Sequence, residues 1–166
     1  MNAGISIEGL SHRYGSKLAL DDVTFNVGDG RFCALFGPNG AGKSTLVSLI
    51  SGLFAARHGR VVIAGHDMAK EPRRALAAMG IVFQSPALDT DLTVSQNTSY
   101  YAALHGMSGR QAAAAIEESL DRLGMGERLG EKVRNLNGGH RRRMEIARAL
   151  IHKPKVLLLD EPTAGL

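Results

Sequence analysis

The sequence predicts an α/β domain: a parallel-sheet core with a helical section inserted into it. Three observations carry that prediction. Residues 37–45 form a glycine-rich loop between an apolar run at 31–36, read as a buried strand, and a helix start at 46–50. Farther on, Val156-Leu157-Leu158-Leu159 is a continuous apolar run ending in Asp160 and Glu161, the pattern of a strand covered on both faces. Between the two, residues 86–132 carry no β-branched run and follow a helical period.

Length and composition agree with one such domain. A chain of 166 residues can bury a core, and 44% hydrophobic with 22% charged residues is ordinary for a water-soluble globular protein. The net charge of +4 suits an anionic nucleotide or nearby lipid headgroups, and equally a solvated basic surface. One cysteine, Cys33, excludes a disulfide framework; in its apolar run it reads as a small core residue. No stretch has the apolar length of a membrane span, and the first residues show no signal-peptide pattern. Any membrane connection is therefore expected through a partner.

The first strands are legible from alternation. Ile5-Ser6-Ile7-Glu8-Gly9-Leu10 reads as a half-exposed strand, and residues 11–15 as a polar turn carrying Tyr14. Residues 18–27 form a second strand region, closed by Gly28-Asp29-Gly30. Tyr14 has two readings, stacking on an adenine or packing across the turn, and local sequence favours the second.

The loop itself is Gly37-Pro38-Asn39-Gly40-Ala41-Gly42-Lys43-Ser44-Thr45 and fits the phosphate-binding pattern G-x-x-x-x-G-K-[ST]. Glycines 37, 40 and 42 let the backbone turn so that successive N–H groups point at phosphate oxygens. Lys43 is placed to reach the β- and γ-phosphates, and Ser44 to present a hydroxyl to Mg²⁺. The following helix N-terminus adds partial positive charge. The reading is binding of a nucleoside triphosphate.

After residues 51–53 close that helix, residues 59–65 read as a short strand and 73–79 as a short helix. Residues 80–84 form another strand with Gln84 at its carboxyl end, where ligand groups sit in open α/β sheets. In the inserted section, Thr93 reads as an N-cap with Gln96 as its capping-box partner, opening a helix that runs to His105. A second helix is expected from Ser108, its N-cap, to Leu123, with Ala112, Ala115, Ile116, Leu120 and Leu123 on one face.

Two later features complete the chemistry. Asp160 is placed to hold Mg²⁺, directly or through water, and Glu161 to deprotonate the water that attacks the γ-phosphate. Leu136-Asn137-Gly138-Gly139-His140 precedes a basic helix over residues 141–152. Asn137 can cap that helix, and Gly138 and Gly139 leave the backbone open to a ligand, giving a second anion site. The alternative is an ordinary capped helix whose Arg141, Arg142 and Arg143 are solvated.

The order of these pieces resembles the nucleotide-binding domain of ABC transporters, from Ile5 to Leu166. The resemblance implies a P-loop NTPase fold with a RecA-like parallel-sheet core and N-terminal antiparallel β strands, at about 1–85 and 133–166, and an inserted α-helical subdomain at about 86–132. It gives Tyr14 the role of the A-loop aromatic that stacks on adenine. Residues 37–45 become Walker A, binding ATP through Gly37, Pro38, Asn39, Gly40, Ala41, Gly42, Lys43, Ser44 and Thr45. Gln84 becomes the Q-loop glutamine, touching Mg²⁺ and coupling the helical lobe to a membrane subunit. Residues 136–140 take the place of the Leu-Ser-Gly-Gly-Gln signature, with Asn137, Gly138 and Gly139 facing phosphate. Residues 157–162 become Walker B, with Glu161 as catalytic base, Lys43 and Gln84 as its companions, and Ser44, Gln84 and Asp160 as the Mg²⁺ set. In this family two such domains form a head-to-tail dimer, each signature closing on the other's γ-phosphate, beside an integral membrane permease.

Two substitutions distinguish this chain from the family pattern: Asn137 for the signature serine and His140 for the glutamine. With Asp89-Thr90-Asp91-Leu92-Thr93-Val94, they resemble the drug-exporter-like, ABC-2-type branch, and within it the ATPase subunits of pyrroloquinoline-quinone alcohol dehydrogenase systems. Leu166 falls one residue before the expected D-loop aspartate, and the family's switch histidine would lie beyond it. The expectation is a domain lacking the C-terminal part of its core, with backbone groups unpaired in mid-sheet, poor stability and weak activity alone. The sequence reading is an ATP-hydrolysing subunit, with ATP and Mg²⁺ as cofactors, at the cytoplasmic face of the plasma (inner) membrane, driving an exporter, with no nucleic acid partner. A soluble ABC ATPase acting on ribosomes or DNA and a non-catalytic nucleotide-binding module are the rivals.

Overall fold

The computed structural model describes residues 3–85 and 87–160. It divides into two compact units, Met1–Met79 and Gly80–Leu166.

The first unit is built on a four-stranded sheet in the order β2-β1-β3-β4, from β1 (Ala3–Tyr14), β2 (Lys17–Gly28), β3 (His58–Ile63) and β4 (His66–Asp67). All three neighbouring pairs are antiparallel. Ile5 and Ile7 of β1 pair with Ile63 and Val61 of β3, and on the other edge with Val27 and Phe25 of β2. Ile7 and Leu10 are both fully buried, although three-residue spacing puts side chains on opposite faces of a regular strand. The register shift between them resolves this: the extra residue of a bulge, with Gly9 at φ 57°, resets the alternation.

The predicted polar turn at 11–15 is mostly strand instead. His12, Arg13 and Tyr14 pair with Leu20, Leu18 and Lys17, leaving Gly15 and Ser16 as the two-residue turn. An antiparallel strand tolerates one solvated face, so polar composition did not mark its end.

Helix α1 (Lys43–Ile50) buries Thr45, Leu46, Val47, Leu49 and Ile50. Ala64 (φ 50°) and Gly65 (φ 85°) turn β3 into β4, the doubly positive pair that matches hairpin twist. Helix α2 (Pro72–Ala77) starts on a proline, whose missing N–H costs nothing in a first turn, and is slightly shorter than the predicted 73–79.

The apolar run at 31–36 departs most from expectation. It is not a strand: Phe32 and Phe36 are 91% and 89% exposed, and Cys33 is exposed rather than in the core. Among the described residues no strand pairs with this segment. After the Arg31 N–H, which donates to Gly28 C=O at 3.2 Å, the segment has no ladder to satisfy its backbone groups, and its side chains stay in water with them.

In the second unit, β5 (Met79–Val82) pairs with β6 (Val156–Leu159), and the Asp160 N–H donates to Val82 C=O at 2.9 Å. The run read as covered on both faces is only partly so, with Leu157 39% exposed, because β5 is the strand beside it among the described residues. Strand β5 ends at Val82, so Gln84 lies two residues past it rather than within it.

The helices are α3 (Val94–Leu104), α4 (Gly109–Arg122) and α5 (Gly138–Leu150). They share an apolar core that includes Val94, Ala102, Ile116, Leu120, Met144 and Ala147, with Ala112 and Leu123 packed against it. The Thr93–Gln96 capping box is formed in both directions, at 3.1 and 2.9 Å. Ser108 is the N-cap residue of α4 but makes no side-chain cap bond. Helix α5 begins at Gly138, three residues before the predicted start, so both glycines lie in its first turn.

Candidate functional site

The glycine-rich loop turns through two left-handed glycines although the strand before it does not form. Gly40 (φ 85°) and Gly42 (φ 90°) hold left-handed conformations that other residues rarely adopt. At Gly42 the requirement is also steric, since a Cβ would stand 2.5 Å from the Ala19 carbonyl oxygen. Gly42 is the N-cap of α1 and supplies no side-chain cap, so the helix start presents N–H groups that an anion can satisfy. Lys43 Nζ folds over the loop, donating to Gly37 C=O at 2.6 Å and Pro38 C=O at 2.8 Å. An ammonium has three N–H donors, so this posture fixes the charge over the loop and reserves a donor for phosphate. Pro38, Asn39, Ala41 and Ser44 are exposed, whereas Thr45 is buried.

Tyr14 belongs to the same unit. Its hydroxyl is 3.4 Å from Thr45 Oγ1, and its ring, 48% exposed, stands edge-on to His12 at 4.8 Å and Phe54 at 6.1 Å. These rings, with Leu53, Arg57 and His58, line a half-open cleft of about 700 Å³. Sequence reasoning missed His12 and Phe54. His12 carried a faint signal, two residues from Tyr14 on one strand face; Phe54, remote in sequence, carried none.

In the second unit, Asn137 caps α5, its Oδ1 accepting the His140 N–H at 2.8 Å. That assigns the oxygen to the helix and leaves the amide nitrogen as the group for an incoming anion. Gly138 is exposed, and a Cβ on Gly139 would meet Asn137 Oδ1 at an ordinary 3.6 Å. Packing within this chain therefore does not demand glycine there.

The Arg141–Arg143 face splits. Arg143 is exposed, but Arg142 is 5% exposed and pairs with the equally buried Glu145 at 3.1 Å. Its guanidinium also donates to Phe83 C=O at 2.9 Å and Asp160 C=O at 3.0 Å. Gln84 is exposed, next to Phe83. Asp160 is half-buried at the end of β6, and Glu161 lies outside the described residues. The spacing of Arg142 and Glu145 at i, i+3 was the available signal for this pair.

The profile of the family described as ABC transporter matches residues 20–164. The chain belongs to the ABC transporter family. A daunorubicin resistance ATP-binding protein of Streptomyces coeruleorubidus is 39% identical over 165 residues, covering 99% of this chain and 52% of that protein. A linearmycin resistance ATP-binding protein of Bacillus subtilis (strain 168) is 36% identical over 98% of the chain and 52% of its own length. Nod factor export ATP-binding protein I of Rhizobium johnstonii is 38% identical with the same two coverages. Among solved structures, an ATP-binding subunit of an ABC transporter superposes with a TM-score of 0.88 at 30% identity, over 98% of this chain and 68% of that one. The chain thus spans about half the length of the curated ABC relatives it matches.

These likenesses confirm the P-loop NTPase fold and the exporter-like ABC resemblance. No helix among the described residues is long and apolar enough to cross a membrane. No group of three or more His, Cys, Asp or Glu among them could hold a metal. Mg²⁺ in a nucleotide site needs none, because one carboxylate, a hydroxyl, waters and substrate phosphates complete its shell.

Proposed function

We propose that the protein binds and hydrolyses ATP to drive a membrane permease of the exporter type. The observation that supports this most directly is the loop closed by Lys43 over Gly37 and Pro38 at the uncapped start of α1. Backbone donors, a helix N-terminus and one ammonium lie together there, the set of groups that a triphosphate requires. Tyr14 offers its ring to the base, with His12 and Phe54 holding it edge-on.

Mg²⁺, when bound, neutralises charge developing on the β- and γ-phosphates. Ser44, Gln84 and Asp160 are the residues we assign to hold it. Glu161 takes the proton from the attacking water, and Gln84 helps to orient that water. Asn137, Gly138 and Gly139 face the γ-phosphate of a second nucleotide-binding domain in a head-to-tail dimer. The domain works at the cytoplasmic side of the plasma (inner) membrane, docked on an integral permease subunit, and needs no nucleic acid. The exporter direction draws on the drug-resistance and Nod-factor-export relatives.

The test is Glu161→Gln in the protein. Hydrolysis is expected to vanish while ATP binding persists, and a multispanning membrane protein is expected to co-purify with wild type. Unchanged turnover contradicts the assigned base, and nucleic acid retained at high salt contradicts the transport reading.

A further inference from the structure

We infer that Arg142 and Glu145, in the second turn of α5, are positioning residues for Gln84 and Asp160; this rests on the ATPase reading of the site. Both side chains are 5% exposed, and neither is spent on a simple pair. Arg142 Nη1 donates to Phe83 C=O, the peptide immediately before Gln84, and Nη2 donates to the carbonyl of Asp160 itself. Glu145 Oε2 accepts from Arg142, while its Oε1 accepts the Ala87 N–H at 3.1 Å on the far side of Gln84. Arg148, one turn farther along α5, donates to Ala87 C=O at 2.6 Å.

The segment carrying Gln84 is thus fastened to one helix at residue 83 and again at residue 87. The end of β6 is fastened to the same helix by the same guanidinium. The two residues assigned to the metal and the attacking water follow different strands, β5 and β6, and α5 supplies their common frame.

A planar fork is needed to reach two carbonyls and a carboxylate together; a lysine keeps the charge but not the geometry. The test is therefore Arg142→Lys, with Glu145→Gln as a second variant that retains the acceptor for Ala87. In Arg142→Lys, kcat for ATP is expected to fall on the order of a hundredfold, the scale of a small misplacement of reacting groups. ATP affinity, which rests on the phosphate loop, is expected to stay at its wild-type value. Amide exchange at Ala87 and Asp160 is expected to accelerate ahead of the rest of the unit, and Glu145→Gln to fall between wild type and Arg142→Lys in both readouts. Unchanged kcat, unchanged exchange at those amides, or equal losses of kcat and affinity overturn the inference. If wild type does not hydrolyse ATP, the ATPase reading fails, and the exchange pattern alone still decides whether the clamp exists.

Discussion

The hydroxyl of Tyr14, at the end of the first strand, stands 3.4 Å from Thr45 Oγ1 in the first turn of the phosphate-loop helix. The residue proposed to stack on a base is therefore tied to the element proposed to hold the phosphates. The ring and the hydroxyl make separable contributions. Tyr14→Phe keeps the ring and loses one weak contact, so ATP affinity should change by less than about 1 kcal/mol. Tyr14→Ala removes the stacking surface and should weaken ATP by about 1–3 kcal/mol while leaving inorganic triphosphate binding unchanged. Titration calorimetry with both ligands checks this; equal losses for both would show that the tyrosine does not read the base.

Gly40 and Gly42 provide a matched pair of substitutions. Both sit at positive φ, but a Cβ at Gly40 meets open space, whereas at Gly42 it strikes the Ala19 carbonyl and Leu20 side chain. Gly40→Ala carries only the left-handed penalty, about 1–2 kcal/mol. Gly42→Ala adds a collision with backbone and should cost more, displacing the start of α1. Chemical denaturation of the two variants should rank them in that order.

His105 caps the end of α3, its ring stacked on His152 at 3.8 Å and tilted against Tyr101 at 4.7 Å, with the Arg148 guanidinium over that same tyrosine ring. Burial lowers its pKa from the usual 6.5. The unfolded chain therefore takes up this proton at higher pH than the folded one. The stability linked to His105 is full above about pH 6.5, falls as pH drops through the folded value and then levels off. His105→Phe keeps a ring in the stack and removes the titration, so it should flatten the decline in melting temperature below pH 6.5. An identical pH profile in the variant would remove His105 as its source.

The elements most legible in the sequence were those whose stability is local. The Thr93–Gln96 capping box is written within four residues, and the apolar face of α4 within three turns. The phosphate loop was legible because its geometry follows from glycines and one lysine. The run at 31–36 was misread for the opposite reason. Its apolar character signals a strand wherever a partner exists, but pairing is decided elsewhere in the chain, and here Phe32 and Phe36 remain in solvent. Arg142 was hidden by its neighbours: within Arg141-Arg142-Arg143 nothing local says that the middle guanidinium turns inward to two carbonyls. Phe54 reaches Tyr14 only through folding.

If the loop closed by Lys43 holds a triphosphate, ATP binding to wild type and to Lys43→Ala will differ. The substitution removes a charge-assisted bond worth about 1.5–3 kcal/mol, so affinity should fall by roughly tenfold or more. Far-UV circular dichroism should be unchanged, since the lysine is only partly buried and bonds to loop carbonyls rather than to the core. Failure of wild type to bind ATP, or equal affinity in the two proteins, would contradict the account.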